Sequence, residues 1–319
     1  MIKMIRTFHP VGHGAFYTEK FQINDGKKLN FVYDCGSKSK KRIENEIDIT
    51  FDENETIDLL AISHFHNDHI NGLEHLLKRC NVKNIILPLL HEEQKKEFLL
   101  DNLESSNFVQ NLCLNPTKAI KEISRNKDTK VVFVSAKLNE KDNIELSNLV
   151  NESEVKSGTI IKISIIPNWI YVPFNLEYKK RNEEVERGYI KKILISFLKH
   201  KKYKEIRKYI KYIKISYNKI GKGINKDKPI NINSMVVFSG INGFKCSSEI
   251  IVSTISYTKI NNVGCLYTGD YNAKGYFDEL DNKILKKYKS KISIIQIRQC
   301  KIKFAIFIYA TLSIERNGE

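Results

Sequence analysis

At 319 residues the chain is long enough to bury a full hydrophobic core, as one large domain or two small ones, and its 41% apolar content is that of a soluble globular protein. His9, Pro10 and Gly12 fall early and the first residues lack an unbroken apolar stretch, so they do not read as a signal peptide, and the longest apolar run near the other end, around Phe304 to Ile308, is too short to span a bilayer. The net charge of +16 admits a nucleic-acid partner, yet Lys, Ile and Asn are abundant everywhere, as an AT-rich genome would produce, so charge carries weight only where it concentrates.

In chain order, the first β-rich run is Phe31-Val32-Tyr33, which empties into Asp34-Cys35-Gly36-Ser37. A second, Ile57 to Ser63, runs directly into a histidine cluster, and the spacing then predicts a helix over Asp68 to Arg79. A strand at Val82 to Leu87 precedes helices at Glu92 to Leu103 and Thr117 to Ser124. Val131 to Val134 and Ile160 to Ile166 resume the strands, followed by Met235 to Phe238 and Val263 to Thr268, a helix at Phe277 to Tyr288 and a strand at Ile292 to Ile297. Each strand run is short and rich in Ile and Val, as strands buried in layered α/β proteins are. Strands and helices mixed along the whole length imply an α/β sandwich without a clean domain boundary.

One segment stands apart. Glu177 to Ile230 holds 18 Lys/Arg against 6 Asp/Glu, so it alone supplies +12 of the +16. Ile190, Ile193, Leu194, Phe197 and Leu198, then Ile206, Tyr209, Ile210 and Ile213, recur at helical spacing, with mostly Lys and Arg between them. This pattern predicts a basic amphipathic helical insertion whose apolar side packs on the sandwich. Its cationic side is either a solvated lysine face or a surface for an anionic polymer, with membrane contact behind both. On the second reading Lys201, Lys202, Lys204, Arg207, Lys208 and Lys211 are the candidate nucleic-acid contacts. The six cysteines (Cys35, Cys80, Cys113, Cys246, Cys265 and Cys300) are scattered without a Cys-x-x-Cys pair. That argues for buried thiols in a reducing, cytoplasmic compartment and against a disulfide framework or a cysteine zinc site.

The chemistry-bearing cluster is Ser63-His64-Phe65-His66-Asn67-Asp68-His69. On an extended segment, side chains two apart share a face, which points His64 and His66 the same way. Asp68 and His69 fall at the start of a helix, where an aspartate also suits the amino-terminal amides. Imidazole nitrogens and a carboxylate are ligands that zinc accepts at ~2.0–2.2 Å. The set therefore reads as a metal-binding loop at a strand's end.

His-x-His-x-Asp-His after an apolar strand resembles the metallo-β-lactamase superfamily. The resemblance implies a four-layer αββα sandwich holding one or two metals, zinc foremost with manganese as an alternative, at the sheet edges. It assigns His64 and His66 to a first metal site, and Asp68 and His69 to a second. Three further matches follow in family order. Val11-Gly12-His13-Gly14 is similar to the turn that opens ComEC-like hydrolase domains. Tyr33-Asp34-Cys35-Gly36 resembles the strand end whose aspartate supports the metal loop from behind, a role for Asp34. Tyr267-Thr268-Gly269-Asp270 resembles the element whose aspartate bridges both metals, and Asn233-Ser234-Met235 before it is similar to the Asn-x-Ser strand of ComEC-like members. The implied activity is hydrolysis by a metal-activated water, with Asp68 binding metal and handling a proton, on a phosphodiester or another ester or amide. The family-like domain would cover residues 1–298, with 177–230 inserted and 299–319 an atypical tail.

The pattern departs from the family at its carboxy-terminal histidine. Ile292 to Ile297 is followed by Arg298-Gln299-Cys300-Lys301, and the sequence holds no histidine after His200. A frameshifted or truncated reading frame is one expectation, and divergence is the other. Cys300 is a weak substitute ligand. His75, His91 and His200 read as structural or solvated, while His9 and His13 at most line the cleft. Two functions remain open: an active metallohydrolase on an anionic substrate, and a catalytically degenerate relative that binds nucleic acid or a protein partner. Oligomeric state is undetermined by the sequence.

Overall fold

Two strands that escape the hydrophobic patterning open the chain. In the computed structural model, β1 (Ile2–Phe8) and β2 (Gly14–Ile23) pair antiparallel, and β2 pairs antiparallel with β3 (Lys28–Ser37). Residues 2–139, 141–175, 234–242, 248–252, 256–260, 264–270, 292–296 and 306–312 are described. The whole 177–230 segment, the Phe277 to Tyr288 helix and the chain around Cys300 lie outside the described residues.

After β3 comes α1 (Lys40–Thr50), capped by the Ser39 hydroxyl, which accepts from the Arg42 amide. The run expected at Ile57 to Ser63 is divided into β4 (Thr56–Ile57) and β5 (Leu59–Ala61). The single helix expected over Asp68 to Arg79 is two, α2 (Asn67–Ile70) and α3 (Leu73–Arg79). The break falls at Gly72, whose amide donates to the Cys35 carbonyl at 3.0 Å. A β-carbon there would lie 2.5 Å from Ile43 and 3.0 Å from Cys35 Sγ, so glycine lets the chain leave one helix and press against β3.

Next follow β6 (Asn81–Val82), β7 (Asn84–Pro88), then α4 (Glu92–Asp101), α5 (Asn107–Leu114) and α6 (Pro116–Ile123). Proline at the first position of α6 and the Asn115 cap fix its start. β8 (Lys130–Leu138), β9 (Asn143–Glu145), β10 (Glu154–Ser157), β11 (Ile160–Lys162) and β12 (Trp169–Phe174) follow. β11 is shorter than the Ile160 to Ile166 run, because the chain turns at Ile163, whose carbonyl accepts from the Ile166 amide. The last described strands are β13 (Val236–Ile241), β14 (Ser248–Val252), β15 (Ser256–Ile260), β16 (Gly264–Tyr267), β17 (Ile292–Gln296) and β18 (Ile306–Leu312).

Among the described residues these strands form a ten-stranded sheet, ordered β10-β8-β7-β5-β3-β2-β1-β18-β14-β15, and a six-stranded sheet, ordered β17-β16-β13-β12-β11-β9. β3, β5, β7, β8 and β10 run parallel, joined by the helices. In the tail read as atypical, Ile306–Leu312 forms β18, which pairs with β1 and β14.

The two sheets face each other across a core that includes Phe8, Phe21, Phe31, Tyr33, Trp169, Tyr171, Val237 and Tyr267. The helices cover the other face of the ten-stranded sheet through a second core that includes Ile43, Ile47, Leu60, Ile62, Leu76, Leu112 and Ile120. Each such side chain, taken out of water, contributes about 1.5–3 kcal/mol. The described residues therefore form a layered α/β structure, with helices, a large sheet and a smaller sheet stacked in that order. No helix among the described residues is long and apolar enough to cross a membrane.

A buried ion pair ties the sheets together. Arg6 on β1 and Glu19 on β2 are both 0% exposed and meet at 2.7 Å. Glu19 also accepts from the hydroxyls of Tyr267 (2.8 Å), Tyr171 (3.0 Å) and Ser239 (2.7 Å), all on the smaller sheet. Burial opposes a charged guanidinium, but the facing Glu19 carboxylate outweighs it and holds Arg6 protonated.

Candidate metal centre

The site begins with an irregularity in β3. Tyr33 packs in the inter-sheet core and Cys35 in the helix-side core, although residues two apart on a regular strand share a face. The register explains this: Tyr17 pairs with Tyr33 and Phe16 with Cys35, leaving Asp34 as an extra, bulged residue. Asp34 adopts φ +56°, a left-handed conformation that strains a non-glycine residue by about 1–3 kcal/mol. The bulge turns its fully buried carboxylate toward the loop that follows β5.

There Asp34 accepts three hydrogen bonds. The Ser63 amide donates to Oδ1 at 2.7 Å, and the Ser63 hydroxyl donates to Oδ2 at 2.7 Å. His69 Nδ1 lies 2.9 Å from Oδ2. Since a carboxylate only accepts, His69 carries its proton on Nδ1 and presents Nε2 inward. Burial alone would lower the His69 pKa, but the charges and hydrogen bonds of Asp34 and Asp270 raise it well above the ordinary value.

His64 is set by a relay. Its Nδ1 lies 2.8 Å from Ser63 Oγ, whose proton is committed to Asp34, and 3.2 Å from Ser234 Oγ. The serine thus accepts from Nδ1–H, and Nε2 of His64 faces inward. His66 Nδ1 meets that Nε2 at 2.8 Å, while His66 Nε2 lies 3.2 Å from Asp101 Oδ2 at the end of α4. Phe65 between them points the opposite way into the helix-side core. The alternation expected on this segment is therefore present.

The final strand end closes the cluster. Thr268, Gly269 and Asp270 follow β16, and Gly269 takes φ +56° against the metal loop. A β-carbon on Gly269 would come within 2.6 Å of Ser63 Cβ, so only glycine fits. Ligand atoms of His64, His66 and Asp270 all lie within 4.8 Å of one another, and Asp270 Oδ1 is 3.4 Å from His69 Nε2. The donor set suits a divalent cation: inward nitrogens whose outer partners keep the protons elsewhere, plus a carboxylate. Two such nitrogens at 2.8 Å attract only through a shared proton or cation.

Asp68 is placed differently. Its Oδ2 lies 3.4 Å from His13 Nε2, and the two side chains are 21% and 41% exposed, so the pair sits at the mouth of the site. Gly36 and Gly14 bring β2 and β3 against this turn; a β-carbon on Gly36 would lie 2.5 Å from the Asp68 carbonyl. Lys38, Lys40, Lys41 and Arg42 are exposed on the adjoining segment, and the Lys38 amide donates to the His13 carbonyl at 2.7 Å.

The remaining candidates separate cleanly. His75 pairs with Asp48 at 2.8 Å, His91 caps α4, and His9 is buried between Glu46 and Thr18. Burial pushes the thiols of Cys80, Cys113 and Cys265 up to about 12, which leaves them protonated. Lys201, Lys202, Lys204, Arg207, Lys208 and Lys211 lie outside the described residues, as do His200 and Cys300. Sequence reasoning missed Ser63 as a relay, although it adjoins the motif, and missed Asp101 altogether, since no spacing links a helix end to a loop 35 residues earlier.

Residues 23–134 match the model of the Metallo-beta-lactamase superfamily. No curated protein matches the chain. Among solved structures, the chain is similar to a HARLDQ-motif mutant of a metallo-beta-lactamase from Cronobacter sakazakii, with 14% identity and a TM-score of 0.26 over 52% of this chain. The similarity spans 49% of that protein's length. The matched segment runs from the end of β2 through the histidine loop to β8, so this part of the chain is similar to a metallo-beta-lactamase superfamily domain.

Proposed function

We propose that the chain is a metal-dependent hydrolase of the ComEC-like kind, using water to cleave a phosphodiester or another ester or amide. The observation that carries this reading is the convergence of His64, His66 and Asp270, with the outer nitrogens of both imidazoles already engaged. His64, His66 and Asp270 would hold one cation, and His69, Asp270 and Asp68 a second where two bind; zinc suits the donors best and manganese is the alternative. A bound cation would supply Lewis acidity and bring the pKa of a water near ~7. Asp34 and Ser63 hold the imidazoles in the ligating tautomers, and Asp68, partly exposed beside His13, is placed to accept a proton from an incoming water.

An anionic substrate fits the surroundings. Lys38, Lys40, Lys41 and Arg42 adjoin the mouth, and the 177–230 segment carries +12. Nucleic acid or a nucleotide is the matching class, and buried, protonated cysteines fit a reducing compartment such as the cytoplasm. Purified chain loaded with zinc or manganese should hydrolyse an activated phosphodiester, and chelation should abolish the activity. Turnover that persists in full after chelation contradicts the reading.

A second reading is favoured by the absence of any histidine after His200: the fold is retained for binding and catalysis is lost. It predicts salt-sensitive DNA binding by a protein that takes up no metal. The hydrolase predicts metal uptake and turnover.

A further inference from the structure

We propose that Asp101 is a positioning residue that sets the tautomer and ring orientation of His66, and that the last turn of α4 is the clamp holding the metal loop from its helix side. The inference rests on the reading that His64, His66 and Asp270 hold a cation. His64 and His69 are oriented from the strand side, through Asp34, Ser63 and Ser234. His66 touches none of these. Its Nε2 instead faces the Asp101 carboxylate at 3.2 Å, where the two side chains are 15% and 29% exposed. A carboxylate this close favours a proton on Nε2, which would leave the Nδ1 lone pair turned toward His64 Nε2.

Two neighbours complete the clamp: Phe98 lies one turn before both Asp101 and Asn102, the residue that caps α4. Phe98 is buried and meets the His66 ring edge-on, with centroids 5.4 Å apart and planes at 70°. Its ring also lies 5.8 Å from Phe65 and 6.3 Å from His64. Asn102, fully buried, donates to the Phe65 carbonyl at 2.7 Å and to the Phe98 carbonyl at 2.8 Å. One residue thus fixes the loop backbone, one fixes the ring plane and Asp101 fixes the proton. The strand-side and helix-side devices are separate, so loss of Asp101 should release His66 alone.

The test compares the full-length wild type with Asp101→Ala and Asp101→Asn by direct zinc titration and by long-range proton–nitrogen NMR of the histidine rings. Asp101→Ala should weaken zinc affinity by ~10–100-fold, the usual loss when a carboxylate behind a histidine ligand is removed. Asp101→Asn should lose less, because its amide oxygen still accepts from Nε2–H without the charge. In the metal-free wild type the His66 ring should be protonated on Nε2, and Asp101→Ala should mix its tautomers while His64 and His69 keep theirs. A merely structural role would leave those ring signals unchanged. Wild-type zinc affinity in Asp101→Ala with an unaltered His66 tautomer overturns the inference and leaves the metal reading intact. A wild type that takes up no zinc overturns both. Should Asp101→Ala fail to fold, Asp101→Asn and its His66 signals decide the matter.

Discussion

Gly36 shows how little freedom the metal loop has. A β-carbon there would lie 2.5 Å from the backbone of both Asp68 and His69, so Gly36→Ala must push the loop outward. Overpacking of this kind costs about 1–3 kcal/mol in stability. The displacement should also lower zinc affinity, measurable by competition with a chromophoric chelator; unchanged affinity would show that the turn at Asp68 and His69 tolerates movement. At this scale the sequence was partly readable. The spacing of His64 and His66 announces one shared face, and both imidazoles do converge. Asp34 was legible only through a family resemblance, because nothing in Tyr33-Asp34-Cys35 reveals a bulge. Asp101 left no trace, since its meaning depends on where α4 ends relative to the loop.

Among elements, α1 was overlooked because Ile43 and Ile47 are its only buried side chains among many charges. It is held to the sheet partly by Glu46, whose Oε1 lies 2.9 Å from Nδ1 of the buried His9, with Thr18 on Nε2 at 2.9 Å. Burial pushes the His9 pKa below the ordinary 6.5, against the opposing pull of Glu46. A depressed folded-state pKa means that the unfolded chain binds the proton more readily. The contribution of His9 to stability is therefore complete above 6.5 and declines as pH falls below 6.5 toward the folded-state value. Urea denaturation across that window should show a smaller loss of stability in His9→Gln than in the wild type. Equal slopes would remove His9 from the account. α2 and α3 were readable as helix but not as two pieces, because the break serves a contact with Cys35 rather than a local preference.

For the whole molecule, the layered α/β class was legible from the alternation of strand and helix patterns, while the central strands β1 and β2 were not. Arg6 and Glu19 disguise them: each charge reads as exposed until its partner on the neighbouring strand is known. The pair also receives the Tyr267 hydroxyl, three residues before Asp270, and so links the core to the strand that delivers the carboxylate. Breaking it strands a buried charge. Arg6→Met should destabilise the fold by about 3–5 kcal/mol in urea unfolding; a loss within the scatter of surface substitutions would mean that Glu19 is satisfied by its hydroxyls alone.

On the proposed reading, His64, His66 and Asp270 together hold a divalent cation. Isothermal titration of the metal-free full-length chain with zinc, alongside His66→Ala and Asp270→Ala, tests it most directly. The account predicts one or two equivalents bound by the wild type, with a large loss of affinity in each variant and native-like circular dichroism throughout. Zinc binding that is absent from the wild type, or undiminished in both variants, would contradict it.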